Sequence, residues 1–195
     1  MSLRSVFIRA VFVVATLAVA GCQTTPPTQV LPEISFVYKA PIALNVAKIV
    51  VRSTYQAPLA PPHIEYRLAT TPEKALRRWA ADRLRAVGDS GVATFVIENA
   101  SVIAQPLKTP AGIETLFGAA QSERYRADVK AVLEISDGGG HGFARAQASH
   151  TRTIAEDASL NDRQRVWFDL VDKVTRAFDT TMEKNIRAHL ASWIR

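Results

Sequence analysis

The chain of 195 residues predicts an α+β fold, with helices on one face of a mainly antiparallel sheet. Three observations point there. First, Tyr125, Ala127, Val129, Ala131, Leu133 and Ile135 alternate with Arg124, Arg126, Asp128, Lys130 and Glu134, Val132 alone leaving the polar series. That period of two describes a long strand with one dry face and one mostly wet face. Second, Asp137-Gly138-Gly139-Gly140 follows at once, and three glycines permit the positive φ of a tight reversal. Third, Val166, Leu170, Val174, Phe178, Met182, Ile186 and Leu190 recur every four residues, widened by Trp167, Val171, Trp193 and Ile194. This is the apolar stripe of one long C-terminal helix. The expected element order is β-α-β-β-β-α, with that last helix packed on the sheet.

Each element has its own signal. Residues 34–38 and 42–55 are rich in β-branched and aromatic side chains and read as strands, with a break at Ala40-Pro41. Ile49-Val50-Val51 is apolar on successive positions, as in a strand covered on both faces. Prolines 58, 61 and 62 mark a connection over residues 57–63. Thr71-Pro72-Glu73 supplies an N-cap, a first-position proline and an early acid. Leu76, Trp79, Ala80, Leu84 and Val87 then form a helical face, and Gly88 is a natural stop. Residues 92–104 read as a buried strand. Residues 143–154 form the return strand, where Ala144, Ala146 and Ala148 leave room for a helix to approach. The final helix is expected from near Asn161 to Trp193, on the order of 50 Å long. Ser159 with Asp162, or Asn161 with Gln164, has capping-box spacing.

The amino terminus is organised differently. Arg4 and Arg9 precede an apolar run over residues 10–20, too short to span a bilayer, in the layout of an export signal. It ends in Val19-Ala20-Gly21-Cys22, which contains the only cysteine of the chain. The stretch resembles a bacterial lipobox, in which the thiol receives diacylglycerol and the chain is cut before it. The resemblance implies lipidation at Cys22. Several acyl chains, at about 0.8 kcal/mol per buried methylene, hold a protein stably on a membrane. Gln23 follows where, in the enterobacterial sorting pattern, an aspartate favours inner-membrane retention. The expected location is therefore the outer membrane rather than the inner, with the domain facing the periplasm. The expected organisation is a signal over residues 1–21, a flexible Thr/Pro tether over 22–33, and one domain over 34–195. Such a tether reaches on the order of 30 Å.

Loss of the signal removes two positive charges from a formal +6, and the remainder stays basic. An exported protein seldom meets nucleic acid, so the expected partners are a membrane, through the lipid, and an envelope protein complex. With the single thiol acylated, no disulfide forms within the domain. His63, His141, His150 and His189 are scattered, without metal-ligand spacing. Gly138–Gly142 leads into a strand rather than a helix, unlike a phosphate loop. There is no G-x-S-x-G elbow and no free nucleophilic thiol. No enzyme, cofactor or metal is expected.

Lipobox, tether, first strand, basic helix, β-meander and long last helix together resemble two groups of small envelope lipoproteins. One is the lipopolysaccharide-assembly lipoprotein; the other is the auxiliary lipoprotein of ABC-type and paraquat-inducible lipid transport. The local likeness lies in Arg78-Trp79-Ala80 and in residues 98–102. Residues 156–167, EDASLNDRQRVW, are also similar to an uncharacterised proteobacterial lipoprotein family. The resemblance implies a non-catalytic binding or assembly accessory in lipid or lipopolysaccharide transport. The alternative is a structural or stress-related lipoprotein bridging membrane and cell wall.

Two stretches are candidate contact sites. Lys74, Arg77, Arg78 and Arg85 gather on the outward side of the first helix, with Asp82 the only acid among them. They form either a solvated face or a contact for anionic headgroups or an acidic partner. The long connection over residues 105–122 carries Ile113, Leu116 and Phe117. It is either a short helix plugging the core or an apolar lip for a partner or an acyl chain.

Overall fold

Four strands form the main sheet, in the order β2-β4-β5-β6. They are Lys48–Ser53 (β2), Val92–Pro106 (β4), Gln121–Asp137 (β5) and Gly140–Ala155 (β6). The computed structural model describes residues 31–107 and 121–195. β4, β5 and β6 run antiparallel, whereas β2 lies parallel to β4. A parallel neighbour needs a crossover, and helix α1 (Pro72–Arg83) lies in that connection. A smaller sheet pairs Ile42–Leu44 (β1) with Leu84–Ala86 (β3), also in parallel. The C-terminus joins it: Ile194 bridges Leu44, and the Arg195 amide donates to the Ala43 carbonyl at 3.0 Å.

Helices α1 and α2 (Leu160–His189) pack against one face of the main sheet. That face alternates small and large residues. Ala93, Ala100, Ala127, Ala131, Ala144 and Ala146 are buried there among Phe95, Tyr125, Leu133 and Ile135. At the centre, Trp79, Phe95 and Phe178 meet with ring centroids 5.1–6.2 Å apart. A β-bulge at Glu98 preserves the inward face of β4. Ala93, Phe95 and Ile97 point inward before it, Ala100 and Val102 after it. Without the extra residue, the second half would turn its apolar side to water.

The α+β class and the long last helix on the sheet stand as the sequence predicts. Thr71 caps α1 by accepting from the Lys74 amide, and the Ser159–Asp162 capping box starts α2. Other elements differ. Residues 34–38 form no strand; Ile34 and Phe36 are buried by period two, but side chains hold the backbone in place of a ladder. Residues 42–55 divide into β1 and β2. Helix α1 ends at Arg83 rather than near Val87, because Leu84–Ala86 pairs with β1. Arg85 therefore sits on β3. Gly88 is no helix stop: a Cβ there would lie 2.6–2.8 Å from Asn45 and Val46, so it permits a close backbone approach. The β5–β6 reversal needs no positive φ; among the described residues only Gly91 has one. Instead Asp137 Oδ1 accepts from the Gly139 amide at 2.8 Å. Helix α2 stops at His189, and Ala191–Trp193 forms a 3-10 turn.

Candidate interaction end of the sheet

The first turns of α2 gather several chain segments at one end of the sheet. The 3-10 turn Glu65–Arg67 lies beside them, with the Arg67 guanidinium 5.1 Å above the Trp167 ring. Tyr125 of β5 meets Trp167 edge-on at 5.8 Å. A narrow cleft there is lined by Leu31, Leu68, Thr70, Gln164, Trp167 and Phe168, among others. The Trp167 indole nitrogen is buried and has no hydrogen-bond partner among the described residues. At this same end β4 finishes at Pro106, and the Leu107 amide donates to the Ser122 carbonyl at 2.9 Å. Leu31 thus lies at the end of the sheet where β4 finishes.

A charged trio braces the end. Arg163 Nη1 donates to Glu123 Oε2 at 2.7 Å and to the Tyr125 hydroxyl at 2.8 Å, and that hydroxyl donates to Glu123. The hydrogen bond from Tyr125, aided by Arg163, holds the Glu123 carboxyl below its usual range against the effect of burial. Burial and the adjacent carboxylate push the Tyr125 phenol up. The proton therefore stays on Tyr125, and Glu123 and Arg163 remain charged. Through these three hydrogen bonds the trio fixes α2 to β5 rather than offering a reactive group.

The predicted contact residues are distributed unevenly. Ile113, Leu116 and Phe117, like Cys22, lie outside the described residues. On α1, Arg77 pairs with Glu73 at 2.8 Å, an acid on the same helix. Arg78 pairs with Asp82 at 2.9 Å and with Glu33 at 3.0 Å. Lys74 is exposed on α1 and Arg85 on β3, so the four cations do not form one helical face. His63 contacts Glu65, and His141 and His189 share a groove with Arg145 and Asn185. Among the described residues, no three His, Cys, Asp or Glu side chains gather at metal-binding distance.

Buried polar side chains anchor the helices and the 3-10 turn, and the sequence analysis did not single them out. Asp179 on α2 accepts from Trp79 Nε1 at 2.8 Å and Arg83 Nε at 3.1 Å, and Lys39 Nζ lies 2.7 Å away. Glu65 Oε1 accepts from the Tyr55 hydroxyl and the Val102 amide, both at 2.7 Å, fastening the 3-10 turn to β4. A signal for Asp179 existed. Continuing the row Trp167, Val171 in steps of four reaches Thr175 and then Asp179, polar residues on a buried ridge.

No protein-family model matches the chain, and no curated protein matches it. Among solved structures, a minor lipoprotein from Acinetobacter baumannii is similar at 12% identity and a TM-score of 0.41. That match covers 73% of this chain and 94% of the other. The rare lipoprotein B from Shewanella oneidensis is similar at 11% identity and a TM-score of 0.36, covering 70% and 92%.

Proposed function

We propose that the chain is a bacterial envelope lipoprotein, exported, cut before Cys22 and acylated on that thiol. The observation that carries this is Val19-Ala20-Gly21-Cys22 at the end of a short charged-then-apolar leader, with no other cysteine in the chain. No helix among the described residues is long and apolar enough to cross a membrane. Gln23 favours the outer membrane. The protein acts there as a non-catalytic binding or assembly accessory, in lipid or lipopolysaccharide transport. Its contact surface is the end of the sheet around Leu31, Leu68, Trp167 and Phe168.

Intact-mass analysis of the membrane-extracted protein tests the anchor. The expected product begins at Cys22 and carries acyl mass, and Cys22→Ala leaves the protein uncut and unacylated. A product starting elsewhere, or one with a free thiol, overturns the reading. Photo-cross-linking from Leu68 and Phe168 tests the role: an envelope transport or barrel subunit is expected, and recovery of peptidoglycan fragments alone would replace it.

A further inference from the structure

The two edges of the main sheet are unlike. The β2 edge is six residues long, exposes Lys48 and Arg52, and runs into the segment containing Pro58, Pro61 and Pro62. Shortness, charge and proline are the ordinary protections of a strand edge. β6 is the opposite edge and spans 16 residues. Its innermost pair with β5 is Asp137↔Gly140, and pairing is unbroken from there to Ile154. Antiparallel alternation from that pair turns the N–H and C=O groups of residues 141, 143, 145, 147, 149, 151 and 153 outward. The Arg145 carbonyl agrees, since it accepts from Asn185 Nδ2 at 2.7 Å.

Beyond Arg145, no other strand pairs with this edge among the described residues. Gln147, Ser149, Thr151 and Thr153 are exposed and uncharged, with no proline or bulge between them. Arg152 is on the helix-covered side, paired with Asp169 at 2.6 Å. Among the described residues, the stretch from 147 to 153 offers an outward ladder of about 23 Å.

We propose that this edge is an interface for a second copy of the chain, joined antiparallel through β6 about a two-fold axis near His150. In that register Ser149 faces Thr151 of the second copy, and Gln147 faces Thr153. The only cations of the strand never meet: Arg152 lies opposite Ala148, and Arg145 opposite Ala155. Self-pairing therefore completes the outward backbone groups without opposing like charges, the condition for an isologous interface. The two four-stranded sheets join into one, with the helices of both copies on the same side.

Sedimentation of the full chain in detergent micelles tests the interface. Dimers are expected, and Ser149→Lys with Thr151→Lys should give monomers with unchanged circular dichroism and melting temperature. In a mixture of Ser149→Cys and Thr151→Cys chains, the cross-chain disulfide should form several-fold faster than in either variant alone. Hydrogen-bonded antiparallel pairs place their Cα atoms about 5.5 Å apart, within disulfide reach. A wild-type monomer up to about 100 μM overturns the proposal, including the case in which the edge captures a strand of another protein. A dimer that survives both lysines with no cysteine cross-link overturns it equally.

Discussion

Asp179 has 1% of its side chain exposed, and Arg83, also 1% exposed, donates to it. Glu183 takes the other side of Arg83 at 2.6 Å, and Arg187 holds Glu183 at 3.0 Å. A buried ion pair is weak evidence for stability, but removing one partner strands the other charge. Asp179→Ala is therefore expected to cost about 3–5 kcal/mol in chemical denaturation. Replacing both, as Asp179→Leu with Arg83→Met, should recover much of that loss. Burial pushes the Asp179 carboxyl up, yet hydrogen bonds from Lys39, Trp79 and Arg83 outweigh it and bring it below 3.8. Its contribution is thus full above that value and is lost as pH falls through the lower folded value. His150 acts in a different window. Burial lowers its pKa below 6.5, Arg152 and Lys173 add to that, and Asp169 opposes them. The native state keeps it neutral, so stability falls as pH drops below 6.5 toward the folded value. His150→Gln should flatten that part of a melting-temperature profile and leave the acid limb of the carboxylates in place. A profile unchanged by the substitution would remove His150 from the account.

Elements were legible where periodicity and burial coincide. The alternation along β5 and the four-residue repeat of α2 each describe a buried face directly, so both stand in the structure. Residues 34–38 show the same period of two, but a strand also needs a neighbour. Here Asp82 takes that place, accepting from the Phe36 amide at 2.8 Å and from Ser35 at 3.2 Å. The parallel pairings β1–β3 and β2–β4 leave no local trace, since they depend on a crossover rather than a turn. The charged trio at the α2 end was hidden for a similar reason: Glu123 and Arg163 are far apart in sequence, and each reads as a surface charge. Gly142 shows the same limit at the other end of β6. A Cβ there would lie 2.8 Å from the Trp193 ring and 2.9 Å from Leu190. Gly142→Ala should therefore displace the C-terminal 3-10 turn and cost about 1–3 kcal/mol, as overpacking does. Adding Trp193→Ala removes the ring contacts and leaves only the flexible end of Leu190 to give way, so the glycine substitution should cost less in that background. Equal cost in both backgrounds would assign the effect to the strand itself.

At the scale of the molecule, both ends of the described chain are fastened across the fold. The C-terminal segment completes the small sheet, with the Asn45 amide donating to the Trp193 carbonyl at 2.7 Å. The N-terminal segment lies over both helices. Glu33 and Ser35 meet α1 at Arg78 and Asp82, whereas Lys39 meets α2 at Asp179 and Glu183. Leu31 reaches the cleft beside Trp167 at the start of α2, so residues 31–39 run along α2 toward its C-terminal half. A load arriving from the N-terminal side therefore meets this strap before it meets the core. Shortening the chain N-terminal to Leu31 and removing the strap should accordingly have opposite consequences. Deleting residues 24–30 should leave the melting temperature unchanged, because these residues belong to the flexible Thr/Pro tether expected from the sequence. Deleting through Phe36 also removes a side chain that is 0% exposed and leaves the Asp82 carboxylate without two donors. That second deletion should cost at least the roughly 3–5 kcal/mol of a buried phenylalanine. Paired melting curves of the two deletions decide the matter. If both melt like the parent, the strap is a passive overlay; if both melt early, the folded unit extends N-terminal to Leu31.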